Sequence, residues 1–194
     1  MRSVLIGAAV LALAACGGEA DKGSDRAPTK AASQSSEGQT DDATAEVALR
    51  LEGGGLTVGT EKLLFNAGRT EADAALSALL GDATGTAEND ECGAGKIEST
   101  DYVGGLTVNY MEGQLVGWFW REPVDGDAPA KVPMAATGDV KLGTPKSTVE
   151  AMSGYSLIPD STLGEEFSLS GSFAGFFEEG SVSMLYAGVQ CFFR

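Results

Sequence analysis

Gly105-Leu106-Thr107-Val108-Asn109-Tyr110-Met111, Glu112-Gly113, Gln114-Leu115-Val116-Gly117-Trp118-Phe119-Trp120 reads as two antiparallel arms around a tight turn. Apolar and polar residues alternate in the first arm, the period of a half-buried strand. A two-residue turn at Glu112-Gly113 sets Met111 opposite Gln114, Asn109 opposite Val116 and Thr107 opposite Trp118. One face then carries Leu106, Val108, Tyr110, Leu115 and Phe119, a core face. The other carries Thr107, Asn109, Met111, Val116, Trp118 and Trp120. Tryptophan concentrates at binding hot spots, so Met111, Trp118 and Trp120 form the candidate binding surface. Two arrangements compete with that reading. A helix or a second unit covers the face, or a bulge at the turn exchanges the two faces.

Towards the amino terminus, Thr70-Glu71-Ala72-Asp73 reads as a helix start with Thr70 as N-cap and Asp73 at a capping-box position. Ala72, Ala75, Leu76, Leu79 and Leu80 recur at helical spacing, and Gly81 stands where a C-terminal cap belongs. Leu49, Leu51, Leu56 and Val58, broken by Gly53-Gly54-Gly55, read as a first strand or hairpin. Asp82 to Asp101, which holds Cys92, reads as a polar loop. Towards the carboxyl terminus, Pro123 to Pro133 is a connector. Val140 to Gly143 reads as a short strand, and Thr144-Pro145 as the start of a second helix ending at Gly154. Tyr155 to Glu166 reads as a loop. Phe167, Leu169, Phe173 and the stretch from Val182 onward read as further strands about a turn at Glu178-Glu179-Gly180. The order helix, loop, hairpin thus occurs twice. The expected fold class is α+β, with two helix-then-antiparallel-hairpin units over about 47–122 and 137–194 sharing one core.

The first residues have the grammar of a secretory leader: Met1-Arg2, an apolar run from Val4 to Ala12, then small residues. That run is too short to span a bilayer as a stable helix. Leu13-Ala14-Ala15-Cys16 resembles the lipobox of bacterial lipoproteins. The resemblance implies cleavage before Cys16, diacylglycerol on its thiol and acylation of the new amino terminus. The alternative is an ordinary secretory leader with a chance cysteine. Gly17 to Glu46 has no aromatic residue and no Ile, Leu or Phe, and reads as a disordered tether. As a flexible coil it reaches on the order of 30 Å. The expected organisation is a signal peptide at 1–15, a lipidated tether at 16–46 and one globular domain at 47–194. Gly17 after the lipidated cysteine resembles outer-membrane sorting. The expected location is therefore the cell envelope, anchored in the outer membrane and facing the periplasm.

Export places Cys92 and Cys191 in an oxidising compartment, where a pair usually becomes a disulfide. Two free buried thiols are the alternative. Closing a loop of about 100 residues contributes roughly 4–5 kcal/mol in the chain-entropy account.

The 194-residue chain has 13 basic and 28 acidic side chains, a net charge of −15, and no histidine. An acidic surface argues against nucleic acid and against flat adhesion to anionic lipid. The lack of histidine excludes a Ser-His-Asp triad, a Cys-His pair and a histidine metal site. No cofactor and no metal site is expected. Glu165-Glu166 and Glu178-Glu179 are the carboxylate pairs that an envelope hydrolase could use, although adjacent strand residues face opposite sides.

Several phrases resemble a group of uncharacterised bacterial secreted proteins and lipoproteins: Glu91-Cys92-Gly93, Gly113-Gln114-Leu115-Val116-Gly117-Trp118, Ser161-Thr162-Leu163-Gly164-Glu165-Glu166-Phe167 and Gln190-Cys191-Phe192-Phe193-Arg194. The likeness covers most of 47–194 and supports a disulfide between the two matched cysteines. Tandem helix-then-sheet units are similar to the β-lactamase-inhibitor-like fold, whose members with known roles bind proteins. This chain departs from that pattern by having one candidate bridge between units rather than one inside each. The expected function is a non-catalytic, lipid-anchored envelope protein that binds a protein or envelope component. The alternative is a carboxylate-dependent hydrolase.

Overall fold

The computed structural model describes residues 48–124 and 126–192. The expected leader and tether, with Cys16, lie outside the described residues. The chain runs β1 (Leu49–Glu52), β2 (Gly55–Val58), β3 (Glu61–Leu64), α1 (Arg69–Leu80), β4 (Gly85–Asn89), β5 (Ile97–Tyr102), β6 (Leu106–Met111) and β7 (Gln114–Arg121). It continues through β8 (Met134–Ala136), a 3-10 turn at Thr137–Asp139, α2 (Lys146–Glu150), β9 (Tyr155–Ile158), β10 (Glu165–Leu169), β11 (Phe173–Glu178) and β12 (Ser181–Gly188).

The strands form a four-stranded sheet, β3-β2-β1-β8, and an eight-stranded sheet, β4-β5-β6-β7-β12-β11-β10-β9. The β1–β8 pairing is parallel, and every pairing in the larger sheet is antiparallel. The expected α+β class is therefore corrected. The fold is mostly β, with 45% strand and 14% helix, and it is not built from helix–hairpin units. The correction has two physical sources. First, β4, β5 and β9 lie in stretches read as loops. Gly85-Thr86-Ala87-Glu88-Asn89 is an edge strand with little burial, so it has no reason to carry apolar alternation. Tyr155–Ile158 is the opposite edge and is likewise mostly exposed. Second, the second helix is only five residues long, and the Thr144 hydroxyl accepts from the Lys141 amide at 2.9 Å instead of capping that helix. Val140 to Gly143 forms no strand.

In α1, Ala72, Leu76 and Leu80 recur every four residues and are buried, so one helical stripe faces the core. Its N-cap is Gly68 rather than Thr70, and Gly81 is its C-cap. The helix seats over β5 and β6, where Asp73 meets Tyr102 and Tyr110. The smaller sheet lies against β7: the Trp118 indole N–H donates to the Glu52 carbonyl at 2.8 Å. The start of α2 lies over Phe177 of β11. Helices and small sheet thus share the inner face of the large sheet and enclose one core.

The hairpin β6–β7 turns at Glu112-Gly113, and both turn residues take positive φ (52° and 73°). Met111 pairs with Gln114 and Tyr110 with Leu115, but Asn109 then pairs with Gly117. Val116 is the extra residue of a bulge, and beyond it every side chain of β7 changes face. Trp118 stands opposite Val108 and Trp120 opposite Leu106, on the inner face. Both tryptophans are buried, and the Trp120 indole N–H donates to the Gly104 carbonyl at 2.9 Å. Trp118→Ala should cost about 3–5 kcal/mol in urea unfolding. Trp118→Phe, which keeps an aromatic ring and loses the bond to Glu52, should cost about 1–2 kcal/mol.

Candidate functional site

Among the residues singled out from sequence as a binding surface, only Met111 remains on the outer face of the large sheet. It is half-buried, with its methyl group towards Gly95 in the β4–β5 loop. Trp118 and Trp120 face inward, so the expected surface of Met111, Trp118 and Trp120 is not assembled; the Val116 bulge is the reason. Of the two carboxylate pairs, Glu165-Glu166 is split between the faces of β10. Glu165 pairs with Lys146 of α2, while Glu166 is fully buried and accepts from the Tyr186 hydroxyl. Glu178 and Glu179 sit at the β11–β12 turn. Among the described residues no group of three or more His, Cys, Asp or Glu is placed to hold a metal ion.

Beneath α1 lies a polar cluster that sequence reading missed. Asp73 accepts from the hydroxyls of Tyr110 (2.6 Å) and Tyr102 (3.0 Å), and from Arg69 Nε (3.2 Å). The Arg69 guanidinium also pairs with Glu98 and lies 5.1 Å from the centre of the Tyr110 ring. Lys146 makes a corresponding set at the other end of the sheet. It contacts Glu150 one turn on and Glu165 on β10, with the Phe177 ring centre 5.7 Å away. Both sets bind the first turn of a helix to the sheet below it. The available signal was the i, i+4 pair Arg69–Asp73, which a capping-box reading of Asp73 obscured.

The outer face offers a different surface. Phe176 and Met184 floor an open groove of about 460 Å³, with Val124, Leu163 and Phe192 as its walls. Val124 and Leu163 are two of four exposed large apolar side chains among the described residues. Glu122 and Glu178 line the groove, and Glu179 adjoins them in a neighbouring recess. Arg121 also lines it; its guanidinium donates to the Glu122 carbonyl at 3.2 Å and forms no ion pair among the described residues. On the far side of Arg121 is a polar recess with Asp101, Thr107 and Asp127.

The groove wall formed by Phe192 belongs to a segment that leaves β12 and crosses the outer face. Gly188 turns the chain with φ 72°. Gly117 admits the crossing, since a Cβ there would lie 2.4 Å from the Val189 carbonyl oxygen. The Val189 amide donates to the Val116 carbonyl at 2.9 Å, just beyond the Gly188–Gly117 pair that ends the β12–β7 ladder. Asn109 Nδ2 donates to the Val189 carbonyl and to Gln190 Oε1, both at 3.1 Å. Gln190 Nε2 donates in turn to the carbonyls of Trp118 (2.9 Å) and Ala187 (2.8 Å). Beyond Gln190, Cys191 turns towards β4, where Asn89 Nδ2 donates to its sulfur at 3.3 Å. Its thiol also meets that of Cys92; that contact first, and burial second, push its pKa above the ordinary thiol value. Both cysteines are free thiols in this structure. Phe192 turns the other way and packs edge-on against Tyr186 (5.0 Å) and Phe176 (5.9 Å).

No protein family, no curated protein and no solved structure matches this chain. The groove offers apolar contact area beside carboxylates.

The tyrosines under α1 give a pH signature. Burial first, then the Asp73 carboxylate, pushes both phenols well above the ordinary tyrosine value. In the unfolded chain they ionise near pH 10. The neutral phenols therefore stabilise the fold fully below about pH 10, and that contribution is lost progressively as pH rises beyond it. Urea midpoints should fall above about pH 10. Tyr110→Phe should lower stability at neutral pH by about 1.5–3 kcal/mol and flatten the alkaline decline.

Proposed function

We propose that this chain is a lipid-anchored, non-catalytic protein of the bacterial cell envelope, held in the outer membrane and facing the periplasm. In this reading the outer-face groove docks a polypeptide segment that carries apolar side chains flanked by Lys or Arg. The observation that carries the docking reading is the groove itself. Phe176, Met184 and Phe192 present apolar surface, Val124 and Leu163 stand exposed beside it, and Glu122, Glu178 and Glu179 lie alongside. Apolar side chains in a concavity with a charged border suit a partner whose charge is opposite. The net charge of −15 favours a basic segment and opposes both a second copy of this chain and an anionic lipid surface. The groove volume is in the range of sites that seat a few side chains.

The anchor rests on Leu13-Ala14-Ala15-Cys16. Cys16→Ser should shift the protein from the membrane to the soluble fraction of the envelope and abolish fatty-acid labelling. Retention in the membrane without label would remove the lipid anchor from this reading.

Docking is tested with labelled amphipathic Leu/Lys peptides and their Leu/Glu counterparts, by fluorescence anisotropy. The Leu/Lys peptide should bind and the Leu/Glu peptide should not. Val124→Ser with Leu163→Ser changes only exposed groove walls and should weaken binding about tenfold, which is about 1.4 kcal/mol. Glu178→Lys should weaken it further. Equal binding by the Val124/Leu163 double variant would mean that the peptide responds to net charge alone, and the groove reading would fall.

A further inference from the structure

The segment from Val189 to Phe192 lies across the sheet as a strap, and its last two described residues point in opposite directions. Cys191 reaches the β4–β5 side of the sheet at Asn89 and Cys92, and Phe192 reaches the docking groove on the β11–β12 side. Whatever holds Cys191 therefore holds the groove wall one residue further on. We propose that Cys92 and Cys191 are a substrate pair for a thiol–disulfide oxidant of the envelope, and that the bond they form locks the strap so that Phe192 stays in the groove. For its consequence on docking this rests on the groove reading; the lock itself does not.

The placement of the two sulfurs supports an order of events. Cys191 in the strap is partly exposed, whereas Cys92 is buried in the β4–β5 loop, so an external disulfide meets Cys191 first. The Cys191 thiolate attacks one sulfur of the oxidant's disulfide, giving a mixed disulfide and releasing one oxidant thiol. The Cys92 thiolate then attacks Cys191 and displaces the second oxidant thiol. The two cysteines lose two electrons and two protons, and the oxidant's disulfide is reduced to a dithiol. Only the thiolate reacts, so the raised thiol pKa of Cys191 slows the first step at neutral pH, and the step speeds up as pH rises.

Without the bond, the strap keeps its contacts through Val116, Asn109 and Gln190 but can open locally. The test is hydrogen exchange of the mature chain, oxidised with glutathione disulfide and then reduced. Oxidation should remove two hydrogens from the mass and join the peptides that hold Cys92 and Cys191. Reduction should speed exchange across 189–192 about tenfold and leave β6 and β7 unchanged. Cys191→Ser, which alters a partly exposed position, should exchange like the reduced chain under both conditions. Failure to form the bond, or equal exchange of 189–192 in both states, would overturn the lock. Binding of the Leu/Lys peptide is read separately. If exchange responds to oxidation and no peptide binds in either state, the lock stands and the docking reading fails.

Discussion

The bulge at Val116 is the constraint on which the rest of the molecule depends. One extra residue in β7 sends Trp118 and Trp120 to the inner face. There Trp118 fills the space beneath the smaller sheet and binds its backbone at Glu52. The bulged residue is also where the strap starts: the Val116 carbonyl receives the Val189 amide. Gly117, next in the chain, has no side chain to obstruct that approach. A single irregularity thus closes the core on one side of the sheet and organises the outer surface on the other. β7 also pairs with β12, so the irregularity sits near the seam that joins the two four-strand runs of the sheet.

Away from this seam, each helix is fastened to the sheet by charge. Arg69 and Lys146 each stand in the first turn of a short helix, with an acid four residues on, another on a strand, and an aromatic ring below. A helix of five residues, such as α2, cannot hold itself together by backbone bonds alone. Anchoring its first turn to β10 and β11 supplies order that propensity does not. Under α1 the tyrosine hydroxyls complete the set, because a partly buried carboxylate such as Asp73 needs donors.

The outer face combines an apolar groove with a strap that holds one of its walls. Phe192 packs against Tyr186 and Phe176, and Cys191 beside it meets Cys92. The groove and the cysteine pair are therefore coupled through one peptide unit. In the proposed lock, that coupling connects the redox state of the compartment to the shape of the docking surface.

Much of this molecule is legible in its sequence, because the signals are local. The strand at Leu106 to Met111 (buried on both faces, not on one as its alternation suggests), the turn at Glu112-Gly113 and the four-residue spacing of Ala72, Leu76 and Leu80 each act within a few residues. The acidic balance likewise follows from composition alone. What tertiary structure decided is everything that depends on distant partners. The edge strands β4 and β9 are mostly exposed, since pairing with β5 and β10 rather than burial makes them strands. The facing of Trp118 and Trp120 turned on one residue of register, which the pattern of β7 does not announce. Phe192 became a groove wall because Gly188 turned the chain back over the sheet. Short-range periodicity is written into the sequence, whereas register and the path of a returning segment are chosen by the backbone partners they find across the fold.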